Sequence, residues 1–497
     1  MALGLGWKVV YDGKTPPPGE AVAPDERLSW DRTIGLGAQH VVAMFGATFV
    51  FPVIMGLSPQ LAIMMSGIAT ICFLLIVQGQ VPSYLGTSAS FVGGATAIYA
   101  QNGGPDDVTG AILVAGAVLA VVGVLIHFLG SHILHAVLPP VVTGAVVMLI
   151  GFNLAPVVAN IYWPQDQWVA LLTMTFVILV AVGARGFIGR IAIFLGLVFG
   201  YVLSWIFDGV FGQITALDAA SGKITTHDRV NWDTVKAVDW FGLPPHTPDN
   251  LVGNQTLVGN LGSVGWHGPN ISITFVLLVL PAVIALIAEN TGHVKAVAEM
   301  TKRDLDPVMG RAIAADGFGT VLASSVGGSP TTTYAENIGV MAATRIYSTA
   351  AYFVAAGVAI FFGFSPKFGA LVSATPGGVL GGITVILYGM IGLLGAKIWK
   401  ENNVDFANPV NLVPVAAGIV IAIGDTSLKI SDNFILSGIA LGTIVTLVGY
   451  HLARFVAPAN LKDDGTILAV GHSGAHKLED EPADGDGPGD TGSHKAP

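Results

Sequence analysis

Runs of roughly twenty uncharged, mostly apolar residues recur along this chain, and that is the length at which a helix spans a bilayer. They lie near 33–55, 59–80, 88–102, 108–129, 136–160, 167–184 and 190–208. After a polar stretch they resume near 271–291, 309–327, 330–345, 347–364, 369–397, 409–425 and 433–456. In lipid every backbone group must be satisfied internally, so helices are the expected element. Only 11% of the 497 residues are charged and 53% are hydrophobic, whereas soluble chains carry about a quarter charged residues. The expected fold is therefore an all-α polytopic membrane protein of about fourteen transmembrane segments. Its 64 glycines suit close helix packing.

The polar parts divide the chain. Residues 1–32 form an N-terminal segment, 33–208 the first seven spans, 209–270 a loop, 271–456 the second seven, and 457–497 an acidic tail. Arg185, Arg190, Lys295, Lys302, Arg303, Arg311, Arg345, Lys397, Lys400, Arg454 and Lys462 then all fall on the side of the N-terminus. The positive-inside rule makes that side, and both termini, cytoplasmic. The location is a plasma membrane, crossed many times. The loop 209–270 faces outward, with signals for turns and short strands. Asn254-Gln-Thr and Asn270-Ile-Ser match a glycosylation triplet, a weak pattern. From Asp463 onward the tail holds eight acids against Lys477 and Lys495, most of the net charge of −10; it lacks an apolar face and reads as disordered. His472 and His476 among its acids are a weak metal pattern; a solubilising tail is the plainer reading. The single Cys72 excludes an intrachain disulfide.

Two spans are short and polar: GTSASFVGGATAIYA at 86–100 and GGSPTTTYAENIGV at 327–340. They are the third of each set of seven. An odd number of spans per half turns the second copy upside down, and broken segments at matching positions mark the substrate site of such inverted repeats. The first spans of each half also correspond: one holds Gln39 and His40, the other Glu289, Asn290 and His293.

Glu289 ends an apolar run and Glu336 lies in the second broken segment. An ionisable group at such depth costs at least ~2.5 kcal/mol, so it is rarely accidental. Thr333-Tyr334-Ala335-Glu336 can also be read as a capping box, in which the carboxylate serves its own helix start. Glu289 and His293 are four apart and share a helix face. They suit proton uptake and release, or a structural pair. Asp316 is a third acid, able to anchor the broken segment or to serve in coupling. Gln39 and His40 read as helix packing or as support of the site. Helices that start within the membrane offer free N–H groups at Ala335 and near Phe91. Phe91 and Tyr334 add aromatic surface. Carboxylates, backbone donors and aromatics together suit a planar ring with N–H and C=O groups, more than a simple anion or a metal cation.

Glu336-Asn337-Ile338-Gly339-Val340-Met341-Ala342-Ala343-Thr344-Arg345 resembles the signature of the nucleobase–ascorbate transporter family. Gln39-His40 matches that family's Gln-His motif. IAENTGH at 287–293, TTTYAENIGV at 331–340 and WFGLP at 240–244 resemble bacterial uracil permeases. The resemblance runs from about Leu28 to Val456, and it implies the following. Two inverted repeats of seven segments carry short strands in segments 3 and 10. Segments 1–4 and 8–11 form a core domain, and 5–7 and 12–14 a gate. Homodimers work by an elevator movement of core against gate. Glu289 and Glu336 bind the pyrimidine, backbone N–H groups of Phe91 and Ala335 bind its carbonyls, and His293 couples to Glu289. Ala335 stands where the uracil permeases have Gly, a change that a backbone contact survives. Purine-carrying relatives commonly have Gln at the position of Glu336, so its Glu favours uracil. The expected function is proton-coupled uracil import. A xanthine or urate carrier and a sulfate-permease-type anion transporter are the alternatives, and no enzymatic motif is present. Expected partners are a small-molecule nucleobase, the lipid bilayer and a second copy of the chain. No nucleic acid, metal or cofactor is expected; protons are the coupling ion.

Overall fold

The computed structural model describes residues 6–17, 19–130, 138–218, 223–245, 264–431 and 434–462. Asn254 and the tail from Asp463 onward lie outside them. Each expected apolar run contains a helix. The first seven are α1 (Trp30–Ile54), α2 (Pro59–Ile76), α3 (Val92–Ala100), α4 (Pro105–Leu129), α5 (Pro140–Asn153), α6 (Gln167–Gly183) and α7 (Ala192–Phe211). The second seven are α8 (Pro281–Thr301, preceded by Ile273–Val279), α9 (Asp306–Ser324), α10 (Ala335–Thr344), α11 (Thr349–Gly363), α12 (Gly377–Glu401), α13 (Pro409–Ile423) and α14 (Gly438–Val456). Among the described residues eight helices are long and apolar enough to cross a membrane, or nine if the bent pair Thr349–Gly363 and Pro366–Ser373 counts as one span.

Two strands interrupt the helical pattern where it is short and polar. Strand β1 (Leu85–Thr87) precedes α3, and β2 (Thr331–Thr333) precedes α10. They pair antiparallel, with Leu85 opposite Thr333 and Thr87 opposite Thr331. Threonine is β-branched, so a run of three favours a strand over a helix. Gly86 is required by its neighbour: a Cβ there would fall 2.5 Å from the Tyr334 ring.

The helices form two groups. One holds α1–α4 with α8–α11, the other α5–α7 with α12–α14. Helices α4 and α9 meet backbone to backbone: a Cβ on Gly123 would lie 2.2 Å from the Ala314 nitrogen, and one on Gly310 2.3 Å from that of His127. The packing repeats when each element is exchanged for the one seven places later. The pair α4–α9 becomes α11–α2, α1–α11 becomes α8–α4, and α6–α12 becomes α13–α5. The pairs α1–α2 and α6–α7 have counterparts in α8–α9 and α13–α14, while α5–α12 and β1–β2 map onto themselves.

Hydrogen bonds identify two opposite ends. At one, the N-terminal segment packs on the core helices: Val22 N–H donates to the Arg345 carbonyl and Tyr347 N–H to that of Val22. Trp7 Nε1 donates to Thr349 Oγ1, and Arg303 pairs with Asp25 at 2.6 Å. The arginine holds the Asp25 carboxyl below its ordinary pKa. At the other end, Asn270 N–H donates to the Asp106 carbonyl and His267 N–H to that of Val326. Its Asn270 side chain donates to Asp107. The loop after α7 contributes an antiparallel hairpin, Ile214–Asp218 with Lys223–His227. Arg229 clamps the hairpin's base, pairing with Asp166 at 2.6 Å and with Asp208 at 3.0 Å.

Candidate functional site

The strand pair breaks two helical segments inside the first helix group, and the ionisable residues gather around that break. Helix α8 packs against β2, α9 and α10. This brings Glu289, His293 and Asn290 of α8, Asp316 of α9 and Glu336 of α10 to one place. Glu289 lies within electrostatic range of both Asp316 and Glu336.

Glu336 is deep within the protein yet solvent-accessible, so it borders an open cavity rather than packed side chains. The N-cap of α10 is Tyr334, not Thr333, and makes no side-chain cap hydrogen bond. The expected capping box therefore does not form. The strand register is the reason: it carries Thr333 toward α8, and the helix starts one residue later. Glu336 is left to contact its own N–H and to face the cavity with Ala335, which is also exposed.

Glu289 is half-buried and makes no hydrogen bond among the described residues. The direct pair of Glu289 with His293 is not formed. His293 Nδ1 instead meets Thr333 Oγ1 at 2.7 Å. Thr333 Oγ1 donates to Asn290 Oδ1 at 3.0 Å, and Asn290 Nδ2 donates to Asp316 Oδ2 at 2.7 Å. Asp316 is wholly buried, so it anchors the broken segment from behind rather than lining the cavity. Thr331 bonds Thr320 of α9 in the same way.

The Gln-His position of α1 supports α10. Asn337 Nδ2 donates to the His40 carbonyl at 3.0 Å and lies 3.2 Å from its Nδ1. The His40 ring packs on Tyr352, with centroids 4.4 Å apart. Gln39 is half-buried beside it. Tyr334 is 4% exposed; its hydroxyl donates to the Thr87 carbonyl at 2.7 Å and accepts from Thr48. Its ring thus locks the strand pair to α1. Phe91 is wholly buried in this conformation and does not reach the cavity.

The cavity opens toward the end where the N-terminal segment lies. Glu289, Gly292, His293 and Ala296 keep solvent contact along α8, as do Ala342 and Ala343 along α10. A Cβ on Gly292 or Gly339 would meet no atom within 4 Å. On the other side of the strands the way is closed. Phe91, Val92 and Val279 are buried, and Gly93 abuts Asn153 of α5 and Ile439 of α14.

Thr333 and Asn290, which link the strand to α8 through their hydrogen bonds, carry no charge and so were not among the residues that the pattern of charges singled out. The signal was a hydroxyl on every residue of a strand beside a buried acid. Among the described residues no group of three or more His, Cys, Asp or Glu could hold a metal ion.

A family model, Xan_ur_permease, described as a permease family, matches residues 31–431. A putative pyrimidine permease, RutG of Escherichia coli K12, is 42% identical, over 85% of this chain and 89% of its own length. The uracil permease of Bacillus caldolyticus is 36% identical, over 84% and 91%. That of Bacillus subtilis is 32% identical, over 85% and 92%. Among solved structures, the murine anion transporter Slc26a9 in its inward-facing state aligns at TM-score 0.58 and 11% identity, covering 87% of this chain and 70% of that one. Another SLC26A9 structure aligns at 0.57 and 12% identity, over 85% of this chain and 65% of its own. These likenesses concern the fold alone. The sequence matches go further, since the family model and the relatives both span most of the chain: it belongs to the nucleobase–ascorbate transporter family of permeases.

Proposed function

We propose that this chain is a proton-coupled uracil importer. One observation carries the reading: two carboxylates from adjacent elements, Glu289 of α8 and Glu336 of α10, border one cavity beside a helix start at mid-molecule. Glu336 and the free N–H groups at the start of α10 bind a ring that offers both donors and acceptors. Glu289 and His293 carry the proton, and Glu289 shares the ring. Two acids at the site disfavour a bare anion as substrate. The permeases named above add support, because uracil or pyrimidines stand in their names.

The repeated helix pairings support two inverted repeats, 33–208 and 271–456, with fourteen segments crossing the membrane. The two helix groups then act as core and gate. The cavity opens at the cytoplasmic end, with both termini on that side, so this conformation faces inward. Moving the core against the gate, elevator fashion, would close that opening and free the other side of the strands. The active form is a homodimer in the plasma membrane, and the loop 209–270 is extracellular.

Accumulation of labelled uracil in a permease-deficient strain tests the function. Uptake that an inward proton gradient drives supports it. Uptake indifferent to that gradient, or uracil uptake outcompeted by xanthine or urate, sinks it.

A further inference from the structure

We infer that Thr333 is a positioning residue for the proton, and that its hydroxyl fixes which nitrogen of His293 titrates. The inference rests on the proton-coupled reading above. A hydroxyl has one proton to give. Thr333 gives it to Asn290 Oδ1, 3.0 Å away. The orientation of that amide is set by its other end, where Nδ2 donates to the Leu286 carbonyl at 2.9 Å and to Asp316 Oδ2 at 2.7 Å. An amide flipped end for end would turn its oxygen toward two acceptors.

The remaining bond follows. With its proton committed, Thr333 Oγ1 can only accept from His293 Nδ1, at 2.7 Å. Neutral His293 is therefore the Nδ1–H tautomer. Its lone pair sits on Nε2, which becomes the atom that takes the proton. Protonation puts the imidazolium charge on His293 and leaves the Nδ1–H bond to Thr333 intact. Loss of the Nε2 proton to the cavity restores the same tautomer. A bond order that survives both states suits a carrier that must cycle between them, since second partners of a histidine set its tautomer and basicity.

The chain also joins the two halves of the site. Thr333 lies three residues before Glu336 on the broken segment, whereas His293 and Asn290 lie on α8 beside Glu289. A change at His293 is therefore felt at the strand that starts the substrate helix. The charged and titratable groups facing this chain are Glu289 on α8, Asp316 from α9, Tyr334 and Glu336 from the broken segment, and Lys397 from α12.

The test compares Thr333→Val, which keeps the shape and removes the hydroxyl, with Thr333→Ser, which keeps the hydroxyl. Proteoliposomes under an imposed pH gradient report accumulation, and the purified protein reports uracil binding at fixed pH. Thr333→Val should lose accumulation by about tenfold, the scale of one unsatisfied buried polar group. It should displace the pH profile while uracil binding stays within about threefold, and Thr333→Ser should behave as wild type. A wild-type pH profile in Thr333→Val overturns the inference, as does equal loss at every pH in both variants. Nitrogen-15 spectra of histidine in the purified wild type read the tautomer without any transport. An Nε2–H tautomer for neutral His293 overturns the inference even if uracil is not the substrate; failure of wild type to accumulate uracil counts against the function alone.

Discussion

The Asn337 side chain donates to the backbone carbonyl of His40 at 3.0 Å, across 297 residues of sequence. One bond thus ties the helix that opens at the cavity to the first helix of the chain. Both residues are buried, so removing the donor takes away a buried hydrogen bond and leaves a void where the amide stood. Asn337→Ala should lower stability by about 1–3 kcal/mol. A melting curve in detergent reads this; an unchanged midpoint would show that the tie is redundant.

Glu289→Gln keeps the shape of the side chain and removes its proton chemistry. It should abolish accumulation against a gradient, while exchange of uracil for uracil across the membrane survives. Proteoliposomes loaded with unlabelled uracil separate the two. Unchanged, pH-dependent accumulation by the variant would remove Glu289 from the proton path.

Glu336→Gln retains one acceptor and adds a donor. A hydrogen bond to a charged group contributes about 1.5–3 kcal/mol, so uracil binding should weaken by roughly 10- to 150-fold. Titration of the purified variant with uracil measures it. Binding equal to wild type would mean that Glu336 does not touch the ring.

Gly86→Ala places a methyl group 2.5 Å from the Tyr334 ring and 2.6 Å from Thr48 Oγ1. Overpacking of this kind costs about 1–3 kcal/mol. The strand pair is where that strain falls, so both stability and uptake should drop. A variant as stable and active as wild type would show that Tyr334 can move aside freely.

The N-terminal segment offers a contrast between apolar and ionic contacts. Val22 is fully buried, whereas the Asp25 and Arg303 side chains are 70% and 42% exposed. Val22→Asp should release the segment to protease, and Asp25→Ala should change little, since exposed pairs contribute under about 1 kcal/mol. The arginine lowers the Asp25 pKa below its ordinary value of 3.8. Its small stabilisation is therefore complete above that value and is lost as pH falls through the lowered one. Cleavage of Asp25→Ala as fast as of Val22→Asp at neutral pH would reverse this ranking.

The places of the helices along the chain were legible in the sequence: each apolar run contains one, because bilayer thickness sets the length of an apolar run and the pattern is local. The two broken segments were legible for the same reason: Gly, Ser and Thr crowd where hydrocarbon is expected. So were Glu289, Glu336 and Asp316, since an acid in an apolar run stands out by its cost. Which partner each side chain takes was decided elsewhere. Glu289 and His293 share a helix face, and helical spacing alone pairs them. The tertiary structure gave His293 to Thr333, because the β1–β2 pairing carries that hydroxyl to within 2.7 Å. The same register moved the start of α10 to Tyr334 and undid a capping box that local sequence contains in full. Hydrogen bonds select the nearest suitable atom in space, and strand register, fixed by a residue some 250 positions away, determines which atom that is.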